Sequence, residues 1–226
     1  PGQPLPAGGI YNSNRFVLNA LLRRLGCEVL DLGIVPDSRE ATRQALREAA
    51  EGADLIISAG GVSVGEEDHV RPAVEAEGQI DLWRVAIKPG RPLAYGRVGR
   101  HGPEGARAAV PGSFAHFIGL PGNPVSAYVT FLLFVRPFVL RLQGIQAVEP
   151  QAVTLISGFD WTNPDRRREF LRAVHLPDGR LGLFRQQGSA VLTSAVVGHG
   201  LIDNPPGQTI RQGDAVRFLS FAELLN

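Results

Sequence analysis

Residues Leu55–Val70 read LIISAGGVSVGEEDHV: an apolar run, then small residues and glycines, then three consecutive acids. A short apolar run bounded by turn residues is the pattern of a central strand in a parallel sheet, buried on both faces. Gly60, Gly61 and Gly65 let the backbone approach a ligand closely and tolerate positive φ. The main-chain amides of residues 62–64 can then converge on an anion, with the Ser63 hydroxyl beside them. Glu66, Glu67 and Asp68 make the far end acidic, which suits a metal ion or the N-terminus of a following helix. Spacing alone leaves both readings open.

The flanking sequence extends the pattern. Phe16, Val17, Leu18, Leu21, Leu22 and Leu25 recur at helical spacing, with Ser13 as the expected cap and Gly26 as the stop. CEVLDLGIV, residues 27–35, is expected to form a strand, and Asp37 with Glu40 a capping box for a helix reaching about Glu51. Downstream we expect a helix from His69 to Glu77, strands over Leu82–Ile87, Leu93–Arg97 and Phe117–Leu120, and a buried helix from Val125 to Gln143. Strands alternating with helices at this spacing predict an α/β fold with a doubly wound, mostly parallel sheet. Beyond Gly144 helical spacing gives way to short alternating runs between turn signals such as PDG and RQGD. Residues 1–146 are therefore expected to form the α/β domain and 147–226 a small β-barrel domain.

Composition narrows the functional classes. The 226 residues carry a formal charge of +1 and 7% aromatics, so a broad nucleic-acid surface is not expected. The most apolar stretch, residues 125–135, is shorter than the roughly 20 residues of a membrane span, and Arg136 follows it. Cys27 is the single cysteine, which excludes an internal disulfide and points to a reducing cytoplasm and a buried, inert thiol. The opening PGQPLPAGG lacks the features of a signal peptide and a starting methionine, and we expect residues upstream of it. The histidines show no metal-ligand spacing.

Three further segments carry chemistry. Lys88, in KPGRP, is the only lysine among 23 basic residues. An ammonium is a compact point charge with rotatable donors, unlike a planar guanidinium, and oxyanion sites exploit the difference. Arg84 is expected on the same strand face and Arg91 in the turn, although a solvated basic patch is the plain alternative. In PGNPVS, Asn123-Pro124 sets a turn, and Ser126 with the first helical amides forms an anion-binding N-terminus or an ordinary helix start. Asp37, otherwise a simple cap, falls at the same end of the sheet as Asp68, where two carboxylates could share a magnesium ion.

Taken in order, GGIYNSN, LGIVPD, SAGGVSVGEED, AIKPGRP and GLPGNPVSA resemble the molybdopterin molybdenumtransferase family, the bacterial MoeA proteins and the gephyrin E region. Residues 150–226 resemble that family's C-terminal β-barrel domain more weakly. The resemblance implies a molybdopterin-binding fold like that of MogA and a reaction in which molybdate enters adenylylated molybdopterin with release of AMP. It implies that Asp37 and Asp68 hold Mg2+ and act with Lys88 in catalysis. Gly60, Gly61, Ser63 and Gly65 would cradle the cofactor phosphate, Arg91 would accompany Lys88, and Gly122, Asn123 and Ser126 would complete the pocket. It further implies a homodimer and contact with a molybdopterin adenylyltransferase partner. Relatives carry a strand and a Thr-Gly-Asp-Glu loop just before GGIYNSN, and two more domains before that. An incomplete sheet and an inactive isolated segment are therefore expected. Two alternatives stay open: an adenylyltransferase-like or nucleotide-cleaving relative of the same fold, and a non-enzymatic dimerisation or scaffold module.

Overall fold

The computed structural model describes residues 11–62, 69–100, 113–190 and 192–225. Helix α1, Ser13–Arg24, is capped by Asn12 rather than Ser13: the Asn12 side chain accepts the Arg15 amide at 3.2 Å. Arg23 and Arg24 complement the negative end of its dipole. In α2, Arg39–Gly52, the cap is Ser38, whose hydroxyl accepts the Ala41 amide at 3.2 Å. The expected Asp37–Glu40 capping box is thereby replaced, and Asp37 stands one residue outside the helix with its carboxylate 90% exposed.

Strand β1, Leu55–Ala59, leads toward α3, Val70–Glu77, and then β2, Gly78–Trp83, β3, Ile87–Lys88, β4, Ala94–Gly99, and β5, Phe114–Leu120. The strand expected over 82–87 is thus two pieces. Arg84, at φ 94°, breaks it in the left-handed region that side chains rarely occupy, so Arg84 does not share a strand face with Lys88. The first sheet has the order β1-β5-β4-β2. β1 and β5 run parallel, whereas β5–β4 and β4–β2 are antiparallel, so the sheet is mixed.

Helices cover both faces. Ile118 and Leu120 of β5 pack into a core with Leu18 and Leu21 of α1 and the helix that follows β5, while Ala115 and Phe117 enter a second core with Leu46, Ala73 and Val74 of α2 and α3. The alternation along β5 splits its side chains between these layers, and each fully buried Leu or Phe contributes roughly 1.5–3 kcal/mol.

The run Leu55–Ile57 was expected in the sheet centre, yet β1 is an edge among the described strands, and residues 27–36 form no strand. The reason is pairing. Among the described residues β1 is bonded on one side only, to β5, and a cleft separates its other edge from residues 27–36, leaving that segment without a ladder there. Its Leu30 and Ile34 are exposed, and its main tie is Asp31, held by the Arg15 guanidinium at 2.9 Å.

After β5 one helix runs from Pro124 to Leu142 as α4, Pro124–Thr130, a π-helical turn, Phe131–Val135, and α5, Arg136–Leu142. It is apolar enough to span a membrane by composition, but 61% of its most apolar window is buried in the protein, so it is a core helix here. The second sheet contains β6, Val153–Ile156, β7, Arg168–His175, β8, Leu181–Leu183, β9, Gly200–Asn204, and β10, Ala215–Ser220. Its order is β3-β7-β9-β10-β6 with β8 on β7. One isolated parallel bridge, Ser157 to Leu181, links the end of β6 back to β8 and brings the path round toward a barrel. Two short helices, α6, Thr193–Val197, and α7, Phe221–Leu225, complete the fold. Phe221 and Leu224 pack into the core of α1 and α4, so the two units share apolar contacts, and β3 belongs to the second sheet although it lies in the first segment.

Candidate functional site

The carboxyl ends of the parallel pair β1 and β5 meet at two glycine turns. Gly60 donates its amide to the Leu120 carbonyl at 2.9 Å, and a Cβ placed on Gly122 would stand 3.7 Å from the Gly60 Cα. Gly60 and Gly61 have φ values of 96° and 70°, which glycine reaches without strain. Asn14, buried in α1, donates its side-chain amide to the Gly122 carbonyl at 2.7 Å and fixes the second turn against the first helix.

Gly60 and Gly61 line a cleft of 1380 Å³ together with Asp37, Ser58 and His69. The Ser58 hydroxyl is buried there and has no hydrogen-bond partner among the described residues. Asp37 lies 3.9 Å from the His69 imidazole. Ser63, Gly65 and Asp68 lie outside the described residues. No group of three potential metal ligands occurs among the described residues, and Asp37 is the one proposed magnesium ligand within them. Its carboxylate is 90% exposed and open to a ligand, and a divalent ion needs further oxygen donors beside it.

Lys88, Arg91, Gly122, Asn123 and Ser126 do not line that cleft. Asn123 occupies the α4 cap position and its side chain makes no capping bond, while Ser126 is buried in the first turn. The helix N-terminus is partly occupied, because the Val125 amide donates to the Ser189 carbonyl at 2.9 Å. The KPGRP turn packs against α4: a Cβ on Gly90, at φ 113°, would meet the Thr130 methyl at 2.4 Å. Arg91 is exposed, and its carbonyl accepts the Val85 amide at 3.1 Å. The Lys88 ammonium lies 3.3 Å from Glu169 and 3.4 Å from Asp165.

Sequence reading missed Arg172. It stands on β7 and is 2% exposed, with its Nη2 donating to the Gly188 carbonyl at 3.0 Å and its Nε without a partner among the described residues. Burial pulls its pKa down to about 10, so it remains a cation at neutral pH without an ion-pair partner among the described residues. A buried charge without a counter-charge costs several kcal/mol, and an anion would offset that cost. Gly188 precedes Ser189, which ties Arg172 to the start of α4. The signal was a lone Arg inside the buried run FLRAV, where a barrel strand ordinarily carries apolar residues.

Residues 2–141 match the family described as a probable molybdopterin binding domain, and residues 154–221 match the MoeA C-terminal region, domain IV. The chain is 46% identical over 143 residues to a molybdopterin molybdenumtransferase of Haemophilus influenzae, covering 63% of this chain and 32% of that protein. It is 34% identical over 191 residues to a molybdopterin molybdenumtransferase of Nostoc, covering 83% of this chain and 41% of the relative. It spans less than half the length of these relatives. In structure it resembles a molybdopterin biosynthesis MoeA protein from Pyrococcus, with a TM-score of 0.76 at 24% identity over 98% of this chain and 51% of that one.

Proposed function

We propose a function on one premise: this chain belongs to the MoeA family, joining its molybdopterin-binding domain to its C-terminal region. On that premise it serves molybdenum cofactor biosynthesis as a molybdopterin molybdenumtransferase. The two thiols of the dithiolene in adenylylated molybdopterin displace an oxo group of molybdate as water, and water cleaves the phosphoanhydride joining pterin to AMP, leaving the pterin phosphate and free AMP.

The observation that carries the reading is the close approach of Gly60 and Gly122 over the ends of β1 and β5. Crevices at the carboxyl ends of such strands are where α/β sheets bind ligands. In this reading Gly60 and Gly61, with Ser63 and Gly65, admit the phosphate oxygens, and Gly122, Asn123 and Ser126 complete the rim. Lys88, Arg91 and the unpaired Arg172 counter the charge of molybdate and phosphate. Asp37 together with Asp68 would hold Mg2+, which would supply charge neutralisation at the phosphoanhydride. Homodimerisation, contact with a molybdopterin adenylyltransferase and a cytoplasmic setting complete the proposal.

The test is calorimetric titration of the chain with molybdopterin and with AMP, followed by molybdate-dependent AMP release from the same segment grafted into the Haemophilus influenzae relative. The expected result is pterin binding that Gly122→Ala weakens and turnover that requires molybdate. Undiminished AMP release in a graft carrying both Asp68→Asn and Lys88→Ala would overturn the site.

A further inference from the structure

We infer that Glu169, anchored by Trp161 and assisted by Asp165, is a positioning residue that aims the Lys88 ammonium at an oxyanion. The inference rests on the reading of Lys88 as an anion contact.

The two residues of β3 pair in parallel with β7, and the register sets Lys88 beside Glu169. Cross-strand neighbours of opposite charge on one face interact directly. The Glu169 side chain is fully buried; one oxygen accepts the Trp161 indole N–H at 2.8 Å and the other accepts from Lys88 at 3.3 Å. Asp165 approaches the same ammonium at 3.4 Å and is itself held by Arg167 through two bonds of 2.8 Å.

An ammonium has three N–H donors. Two face carboxylates here, and the group is still 44% exposed, so among the described residues the third is left for a ligand in a direction set by the other two. A clasp whose only task was to fasten β3 to β7 would accept any cation. The site instead holds the one lysine of a chain that otherwise uses arginine throughout. A guanidinium would also have donors to spare, but in a fixed planar fork, whereas the ammonium offers a compact point charge whose third N–H is directed by the two carboxylates.

The sign of one substitution separates positioning from proximity. A carboxylate that was merely near the site would repel an arriving anion, and Glu169→Gln would then tighten binding. A carboxylate that aims the ammonium has the opposite effect, because its neutral replacement frees the lysine to swing.

The experiment titrates this chain with molybdate alone by calorimetry, with the Trp161 indole N–H followed by NMR. Lys88→Ala is expected to abolish binding, Glu169→Gln to weaken it about tenfold, and Glu169→Asp to recover to within about threefold of the wild type. The Trp161 signal is expected to move on molybdate addition in the wild type and to stay still in Lys88→Ala. Unchanged or tighter binding by Glu169→Gln overturns the positioning role while the Lys88 reading stands. No effect from either Lys88→Ala or Glu169→Gln, or no molybdate binding by the wild type, overturns both. Should Glu169→Gln fail to fold, Trp161→Phe keeps the carboxylate and removes its anchor. It is expected to weaken binding about threefold, and wild-type affinity there overturns the proposal.

Discussion

Gly60 and Gly122 face each other where β1 and β5 end, with a Cβ on either lying 3.9 or 3.7 Å from the Cα of the other. There is room for a methyl at both positions, but only Gly60 has a positive φ, at 96°. The two glycines therefore respond differently to the same substitution.

Gly60→Ala is expected to cost about 1–2 kcal/mol of stability, because an L side chain is strained in the left-handed region. Gly122→Ala is expected to fold with unchanged stability yet bind the phosphorylated pterin less tightly, its methyl narrowing the crevice. Thermal denaturation and ligand titration separate the two. Equal destabilisation by both would refute the backbone argument.

The KPGRP turn depends on contact with α4. At Gly90 a Cβ would stand 2.4 Å from the Thr130 methyl and 3.1 Å from Ile87, at φ 113°. Gly90→Ala should lose roughly 2–4 kcal/mol, combining strain with overpacking. Thr130→Ser removes the clashing methyl and keeps the hydroxyl bond to the Ser126 carbonyl, so the double variant should recover part of the loss. A double-mutant cycle by urea denaturation measures the coupling, and strict additivity would show that the turn does not rest on Thr130.

Glu77, 3% exposed in its side chain, receives Arg43 at 2.6 Å and Arg47 at 2.8 Å. Burial works to raise its pKa, but the hydrogen bonds from Arg47 and Arg43 outweigh it and hold the group down at about 2. A depressed carboxylate contributes its stability above the unfolded-state pKa of about 4.3, and that contribution is lost as pH falls toward 2. Glu77→Gln should lower stability at neutral pH by roughly 2 kcal/mol, below the range for a fully buried pair because both arginines reach solvent. The difference from wild type should shrink through this acid window. A constant difference from pH 7 to pH 2 would rule out the linkage.

Arg172 makes a contrasting case. Among the described residues its buried charge has carbonyl partners only, so Arg172→Met is expected to be neutral or stabilising while oxyanion affinity falls at least tenfold. Melting temperature and molybdate titration read the two effects independently. A strongly destabilised Arg172→Met variant with intact anion binding would mean that the guanidinium serves packing alone.

Local signals in the chain were sufficient for most elements. The apolar spacing of Leu18 and Leu21 locates α1, the acidic first turn marks where α2 begins although its cap is Ser38 and not the expected Asp37, and the glycines after Ala59 mark the end of β1. Asn123-Pro124 likewise announces α4, since Pro is favoured in a helix's first turn. Such features act through the backbone of neighbouring residues and can be read from the local chain.

Long-range pairing was not legible in the same way. CEVLDLGIV has the composition of a strand, but a strand exists only when another edge supplies its hydrogen bonds, and β1 stands across a cleft from it. Lys88 could be singled out by its rarity, yet its partner Glu169 lies 81 residues away and meets it only because β3 crosses into the second sheet. Arg172 likewise becomes an unpaired charge only once β7 is buried between its neighbours. Sequence determined where the chain turns and which residues can carry chemistry. Tertiary structure alone decided which of them stand together, because burial and counter-charge are properties of the packed chain rather than of the segment.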